Sequence, residues 1–309
     1  MLEAEMQSFS MEFAKDVGYH RVVVYKCLAD QLVKNQAVLT SYETLRDTYK
    51  DISLDISVLK ESESRPPFQT EPTIFGTFLD HFSAHDSYSQ NHYLQQIDIS
   101  NYLPELLDHA GITFLAPNML SNNIISESSC HGPTFYIGEK GIKTSLHYDR
   151  SCDVVNNPEI AENDPGKNNL FLQLSGKRKF ILFPSHYHTD LYPSIGSTTP
   201  HVSESTTFLH SIPYDVDESA QHEYLLQSQY PKLANAWPAR LEIVLEAGDG
   251  LLIPARWWHY TEILEAGSAL NWWFAMEENI EAKINQRLLE QTDAKNEPPR
   301  KTDKNCIIS

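Results

Sequence analysis

His147, Asp149 and His259 are the residues whose types and spacing best suit metal chemistry. His147 and Asp149 lie two apart in SLHYDR, a segment predicted to be a strand, so their side chains leave the same face. His259, in PARWWHYTE, lies on another predicted strand after the turn EAGDG. Two histidines and one carboxylate leave three coordination positions open, an arrangement typical of non-haem iron(II) oxygenases. The pattern predicts an iron(II) site where oxygen and a chelating 2-oxoacid could bind together.

The segments that carry these residues belong to a long run of predicted short strands. Between about 133 and 276 these are PTFYIG, KTSLHYD, NLFLQL, KFILFP, RLEIVLE, GLLIP, WWHYTEIL and ALNWWFAM. Regular short strands separated by Gly, Pro, Asn and Asp favour a sandwich or barrel over alternating β-α units. The predicted fold class is mainly β with helical additions, around a double-stranded β-helix (jelly-roll) core at 91–276.

Residues 1–90 are predicted to form an N-terminal helical region with the first strand. The apolar residues from Val22 to Leu32 have a spacing that predicts a helix. A capping box of Thr40 with Glu43 predicts a further short helix. DISLDISVL alternates with period two and predicts a strand, while ESESRPPFQTEP reads as a polar connection. TIFGTFLDHF predicts a helix, HYLQQIDI a strand, and NYLPELLDHAG another helix.

Composition restricts the classes of partner. The chain has 24 basic and 42 acidic residues and a net charge of -18, which makes nucleic acid an unlikely partner. The four cysteines form no C-x-x-C pair, so neither a disulfide framework nor a cysteine zinc site is indicated, in keeping with a reducing cytosol. No apolar stretch approaches the roughly 20 residues of a membrane helix, and the first residues lack the pattern of a signal peptide.

The C-terminal part is predicted to be a helix at 277–293 followed by a flexible tail at 294–309. The helix has an apolar stripe formed by Ile280, Ile284, Leu288 and Leu289. This stripe could mediate a homodimer or pack on the chain's own barrel.

The tail contains Cys306 in the order Cys-Ile-Ile-Ser, which fits the C-a-a-X pattern for prenylation. The expected location is therefore the eukaryotic cytosol with membrane association through Cys306. For a bacterial source, that cytosol would be the cytosol of a host cell.

Four segments resemble, in order and spacing, the JmjC-domain iron(II)- and 2-oxoglutarate-dependent hydroxylases, including the asparaginyl and lysyl hydroxylases. The segments are TSLHYD, NLFLQLSGKRKFILFP, LEAGDGLLIPARWWH and NWWF. The resemblance covers roughly residues 90–276. It implies that His147, Asp149 and His259 are the iron ligands and that 2-oxoglutarate and oxygen are cosubstrates.

The same resemblance implies roles for residues around the metal. Those matching 2-oxoglutarate-binding positions, or asparagines beside the cosubstrate and iron, are Tyr93, Thr144, Asn169, Arg178 and Asn271. Gln95 and Trp273 match residues that line the groove for the protein substrate.

One departure from the family concerns the cation that pairs the distal carboxylate of 2-oxoglutarate. The family has a lysine two residues after the turn glycine, whereas here Arg178 follows Gly176 at that spacing. Arginine can pair a carboxylate bidentately, so the charge role is retained. A shift of one residue would present Lys179 instead, because parity decides which face a side chain takes.

The second departure is an insertion between Asp149 and Asn169. A loop leaving a strand beside a ligand is expected at the barrel mouth, where substrate enters. Its acidic residues are Asp153, Glu159, Glu162 and Asp164. They could select a basic segment of a protein substrate, and the alternative is a solvated loop without a role.

The predicted function is an oxygenase that hydroxylates an Asn, Asp, His or Lys side chain of a protein. N-methyl-lysine demethylation is one alternative, although no C-x-x-C histone-reading finger is present. A tRNA hydroxylase is another, disfavoured by the negative charge. A non-catalytic jelly-roll binding protein is a third, but all the metal ligands are present.

Overall fold

The computed structural model describes residue 16 and residues 20–58, 69–113, 131–151, 164–194, 199–212 and 216–275. In chain order, its strands are β1 (Val23–Tyr25), β2 (Ser53–Val58), β3 (Gln69–Ile74), β4 (His92–Asp98), β5 (His131–Gly138), β6 (Asn168–Gln173), β7 (Lys177–Phe183), β8 (Leu241–Leu245), β9 (Gly250–Ile253), β10 (Trp258–Glu265) and β11 (Gly267–Phe274). An eight-stranded sheet has the order β1-β9-β6-β11-β5-β4-β2-β3, and a three-stranded sheet has the order β10-β7-β8. These antiparallel sheets form the jelly-roll core.

Helices surround this core on the N-terminal side and between β7 and β8. The N-terminal ones are α1 (Ala29–Leu32), α2 (Ala37–Thr40), α3 (Tyr42–Tyr49), α4 (Phe75–Ala84), α5 (Ser87–Gln90), α6 (Ile99–Tyr102) and α7 (Pro104–Ala110). Between β7 and β8 are α8 (Thr206–Leu209), α9 (Glu218–Leu226) and α10 (Leu233–Ala236), with 3-10 turns at Ser185–Leu191 and Trp237–Ala239. No helix in these described ranges is long and apolar enough to cross a membrane.

Alternation along the large sheet separates a helix-facing side from an inner side that faces the small sheet. Phe135 and Leu270 belong to the core that contains apolar residues of the N-terminal helices. Tyr136 and Phe171, at the opposite parity, cluster with Phe180 of β7. Because successive strand residues point to opposite faces, the inner side can present polar groups to the space between the sheets.

Parity also divides β7. Phe180 faces the large sheet, whereas Ile181 and Phe183 pack with residues of the helical segment between β7 and β8, including Trp237. The helical segment therefore covers the outer side of the small sheet at β7 and β10, while Leu241 and Val244 of β8 stay exposed. The inner side closes the barrel opposite β6 and β11.

Two predictions for the N-terminal region are wrong in detail. Val23–Tyr25 is a strand, not a helix, and pairs with β9 in the register Val23↔Leu252. A run of β-branched residues favours this sheet position. The cap of α3 is Ser41, whose Oγ accepts the Thr44 N–H at 3.3 Å, while Thr40 ends the preceding helix.

The polar connection predicted before α4 contains a strand at its end. β3 pairs with β2, and Pro72 lies opposite Asp55. β3 is at the edge of the eight-stranded sheet, where proline does not interrupt a second ladder of hydrogen bonds. Strands from the first 90 residues thus share one sheet with the strands that follow them.

The predictions of dimerisation and prenylation fall on residues outside the described ranges. These residues are Ile280, Ile284, Leu288, Leu289 and Cys306. Both stay predictions. The acidic insertion residues Asp153, Glu159 and Glu162 also lie outside the described ranges.

Candidate functional site

The segment carrying His147 and Asp149 lies beside β10, but it is not the regular strand that the alternation predicts. It pairs through isolated bridges, among them His147↔His259 and Lys143↔Glu262. His147 and His259 exchange backbone hydrogen bonds of 3.0 and 2.7 Å. Between the bridges the Thr144 hydroxyl accepts the Thr261 N–H at 3.0 Å, so a side chain replaces one ladder acceptor. This pairing holds two metal-ligand candidates side by side.

His147, Asp149 and His259 form a compact donor set whose ligand atoms all lie within 4.8 Å of one another. His147 Nε2 is 3.9 Å from one Asp149 carboxylate oxygen, and His259 Nε2 is 3.7 Å from the other. The opposite nitrogens, Nδ1, lie 2.7 Å from the Ser145 carbonyl and 3.2 Å from the Trp257 carbonyl. An Nδ1–H donating to a carbonyl leaves the Nε2 lone pair for a metal.

Burial keeps His259 in the protonation state that a metal needs. Burial, and secondarily the neighbouring His147, lowers the pKa of His259 to about 4, while Asp149 opposes the shift. At neutral pH the imidazole is uncharged, and neutral imidazole is the form that ligates a metal. A set of two histidines and one carboxylate therefore fits an iron(II) site with open positions.

A chain of polar side chains extends from Asp149 across the inner side of the large sheet. Asp149 Oδ2 accepts a 3.0 Å hydrogen bond from the Asn169 amide, and Asn169 Oδ1 accepts one of 3.3 Å from Asn271. Asn271 Oδ1 in turn accepts from the Thr134 hydroxyl. These residues lie on β6, β11 and β5, so the orientation of the candidate ligand is coupled to the centre of the sheet.

Arg178 is the buried cation of the site. Its side chain extends from β7 into the space between the sheets, where the residue is 2% exposed. One guanidinium nitrogen donates to the Tyr93 hydroxyl at 2.9 Å, and the guanidinium carbon lies 5.0 Å from the centre of the Phe171 ring. The Nε atom has no hydrogen-bond partner, and no carboxylate pairs with Arg178 within the described ranges.

Lys179 faces the other side of β7. Its ammonium group pairs with Glu242 at 2.9 Å on the neighbouring β8. The register places Arg178 opposite Leu245 and Lys179 opposite Val244. Of the two cations that the sequence left open, Arg178 is the one that reaches the space between the sheets.

A single cavity of about 480 Å³ brings the sequence-predicted site residues together. Its lining includes Tyr93, Gln95, Thr144, His147, Asp149, Asn169, Arg178, His259, Asn271 and Trp273. Lys179 does not line it. Gly138 allows close packing beside this cavity, because a Cβ there would lie 2.6 Å from Ile263 Cδ1 and 2.9 Å from the Tyr93 ring.

Gln95 reaches the cavity through a β-bulge. The pairing of β4 with β5 shifts between Leu94 and Ile97, and Gln96 adopts a left-handed φ of 56°. The Gln95 amide donates to the Ser57 hydroxyl at 2.7 Å, and both glutamines line the cavity. Bulges redirect side chains in this way.

Several cavity residues escaped the sequence analysis, notably Asp55, Tyr136 and His201. Burial, and secondarily the nearby Tyr93, raises the pKa of Tyr136 well above its usual value, so its hydroxyl remains protonated. Burial lowers the pKa of His201 to about 3, with a further contribution from His147. Alternation along β5 places Tyr136 on the inner side of the sheet, but no residue of that strand had been singled out from the sequence. His201 comes from the segment between β7 and β8, where the sequence offered no signal.

Asp164 is not part of an acidic surface at the barrel mouth, as the sequence predicted. It is 1% exposed, and its Oδ1 accepts the N–H groups of Ser151 and Gly166 at 3.1 and 3.0 Å. These hydrogen bonds stabilise one carboxylate oxygen, while Oδ2 is buried without a hydrogen-bond partner within the described ranges. Buried in this way, Asp164 is unavailable to a substrate.

Comparisons with known proteins place the chain in a family. The model of the cupin-like domain family matches residues 22–280. A JmjC domain-containing protein C from Dictyostelium discoideum is 25% identical over 59% of this chain and 35% of its own length. The lysine-specific demethylase JMJ30 of Arabidopsis thaliana is 25% identical over 46% of this chain and 25% of its own.

An HSPB1-associated protein 1 homolog from Danio rerio is 26% identical over 39% of this chain and 24% of its own. The chain thus spans a quarter to about a third of the length of these relatives. The family model, in contrast, covers most of this chain. The chain belongs to the cupin-like (JmjC) domain family.

Proposed function

We propose that this protein is an iron(II)- and 2-oxoglutarate-dependent oxygenase that hydroxylates a side chain of a protein substrate. The observation that carries the proposal is the buried guanidinium of Arg178, which pairs with no carboxylate within the described ranges and lies in the same cavity as His147, Asp149 and His259. This combination suits a ligand that binds a metal at one end and carries a carboxylate at the other.

The physical argument begins with the cost of burying Arg178. A charged group removed from water without a partner is unfavourable by several kcal/mol, so a cavity that contains one favours an anion. A bound carboxylate would also satisfy the free Nε of Arg178. The Tyr93 and Thr144 side chains line the same cavity and offer hydroxyl groups to that carboxylate.

Iron(II), 2-oxoglutarate and oxygen together supply the oxidising chemistry, which converts 2-oxoglutarate to succinate and carbon dioxide as one oxygen atom enters the substrate. The protein binds and orients the reactants. Asn169 and Asn271 hold the Asp149 carboxylate in place, and Nδ1 contacts hold both imidazoles. Phe171 and Phe180 exclude water from the inner part of the cavity.

A basic segment is the substrate feature that the cavity lining favours. Among the charged lining residues, Asp149 belongs to the metal set and Arg178 to the cosubstrate site. The remaining carboxylate is Asp55, on the solvent-exposed part of β2. It can attract a lysine or arginine near the target side chain.

N-methyl-lysine demethylation is the second candidate. It is favoured by the similarity to proteins named lysine-specific demethylases and by Asp55 together with the aromatic lining residues Tyr102 and Trp273. A carboxylate with aromatic faces suits a methylated ammonium group. The same cavity lining is compatible with hydroxylation. The two reactions are therefore distinguished by their products.

The deciding experiment incubates the protein with iron(II), 2-oxoglutarate and a cell-derived peptide library in air. Mass spectrometry then scores each peptide for the gain of one oxygen atom or the loss of a methyl group. The matched control is Asp149→Asn, which keeps the size of the side chain but weakens the metal site. Oxygen gain in the wild type alone supports hydroxylation, and loss of methyl groups supports demethylation. Equal peptide masses and no succinate in either protein would contradict both proposals.

A further inference from the structure

Asp164 lies at the base of the insertion that separates Asp149 from β6. The described part of the chain ends at Ser151 on one side of the insertion and resumes at Asp164 on the other. Asp164 Oδ1 accepts N–H groups from both sides of this gap, Ser151 at 3.1 Å and Gly166 at 3.0 Å. One buried carboxylate oxygen thus joins the departing and the returning chain.

Arg256 connects this junction to the other metal-bearing segment. Its guanidinium donates to the Asp164 carbonyl at 2.6 Å, and it lies 4.9 Å from the centre of the Tyr148 ring. Tyr148 lies between His147 and Asp149 in sequence, and Arg256 precedes His259 by three residues. The junction therefore touches both stretches of chain that carry metal-ligand candidates.

Gly166 allows the close approach. Its φ is +68°, and a Cβ there would lie 3.1 Å from the Asp149 carbonyl oxygen and 2.9 Å from the Arg256 nitrogen. Next to it, the Lys167 N–H donates to the same Asp149 carbonyl at 2.9 Å. The returning chain is thus packed directly on the backbone of the candidate ligand.

We infer that Asp164 is a positioning residue for the metal site, an inference that rests on the proposed function. Asp164 holds the returning chain at Gly166 and Lys167, and these residues hold the backbone of Asp149. Without this connection the two ends of a loop are free to separate, and the ordering of Asp149 has to be achieved during metal binding. Asp164 thus helps to hold the backbone of Asp149 in place before a metal binds.

The test is a titration of the metal-free protein with cobalt(II), followed by its visible absorption, which needs no turnover. Asp164→Ala should weaken cobalt(II) binding by about 10- to 100-fold, as for other residues that orient metal ligands. Asp164→Asn retains the Oδ1 acceptor and should recover most of the affinity. The matched control is Asp249→Ala, because Asp249 is also buried and its carboxylate accepts the Glu246 N–H at 3.1 Å in the turn before β9. This control should lose stability but not cobalt(II) affinity.

A milder variant covers the case in which Asp164→Ala does not fold. Arg256→Met removes the bond to the Asp164 carbonyl and should give a smaller but measurable loss of affinity. Wild-type affinity in the folded Asp164 and Arg256 variants would overturn the inference, as would an equal loss in Asp249→Ala. If the wild-type protein binds no cobalt(II), the proposed function fails, and the inference fails with it. Normal binding by both wild type and Asp164→Ala would refute the inference alone.

Discussion

Replacing Arg178 by methionine should weaken the binding of 2-oxoglutarate without lowering the stability of the unliganded protein. Methionine keeps an apolar stem and removes the guanidinium group, whose carbon lies 5.0 Å from the centre of the Phe171 ring. In the unliganded protein Arg178 is 2% exposed, and one guanidinium nitrogen donates a hydrogen bond to the Tyr93 hydroxyl. The Nε atom has no hydrogen-bond partner within the described ranges. The buried charge therefore destabilises the protein until an anion binds beside it.

The expected magnitudes follow from that environment. Leaving a buried carboxylate without its cation costs about 3 to 5 kcal/mol, and about 1.4 kcal/mol corresponds to tenfold in affinity. Since the Tyr93 and Thr144 hydroxyls remain, we expect the lower end, about 100-fold weaker binding of 2-oxoglutarate. Removing an uncompensated charge should offset the lost bond to Tyr93, worth about 1 kcal/mol, so the stability of the unliganded protein should stay unchanged or rise.

Calorimetric titration of 2-oxoglutarate into the manganese(II)-loaded protein measures the first effect, and urea unfolding of the metal-free protein measures the second. Lys179→Met is the matched control, because it removes a cation from the opposite face of the same strand. Its pair with Glu242 is partly exposed and should contribute at most about 1 kcal/mol. Wild-type affinity in Arg178→Met, or a large loss in Lys179→Met, would refute the assignment. A marked fall in the stability of Arg178→Met would refute the argument from the uncompensated charge.

Three further predictions concern other residues of the fold and site. His147→Ala should abolish iron-dependent succinate production, since one of three protein ligands is lost, and undiminished turnover would exclude the metal assignment. Asp55→Asn should raise the KM for a basic peptide several-fold while leaving the KM for 2-oxoglutarate unchanged. Equal KM values for basic and neutral peptides in the wild type would contradict a role of Asp55 in charge recognition. Burial, and secondarily Lys143, lowers the pKa of His210 from 6.5 to about 4. The unfolded chain therefore takes up this proton first, and stability falls as the pH drops below about 6.5 towards 4. Between about pH 7 and pH 5 the wild type should lose about 2 kcal/mol more than His210→Gln in urea unfolding of the metal-free protein, and parallel pH profiles would contradict this.

Local sequence patterns were sufficient to predict the jelly roll and to name three residues that the structure brings together as a candidate metal-ligand set. Period-two alternation in DISLDISVL depends only on neighbouring residues, and β2 forms where that pattern predicts it. His147 and Asp149 could be paired because their spacing fits an extended chain. That segment proved irregular, yet both side chains remained on one side because its bridges to β10 keep it extended.

Features that depend on contacts between distant segments were settled only by the tertiary structure. The sequence left both Arg178 and Lys179 open, and pairing of β7 with β8 and β10 turns Arg178 inward. Pro72 suggested a connection, but an edge strand with one partner tolerates it.

Asp164 gives the physical reason for this division. In the sequence Asp164 belongs to an acidic insertion, which predicts a charge at the surface. The sequence does not show which amide groups surround it in the folded protein. In the folded chain the N–H groups of Ser151 and Gly166 converge on one of its oxygens, and they can do so only after β6 and β10 have brought their segments together. The sequence by itself determines which side chains have a preferred local conformation and which could ligate a metal. The tertiary structure decides which charges are buried and what they meet, since burial and pairing arise between residues far apart in the chain.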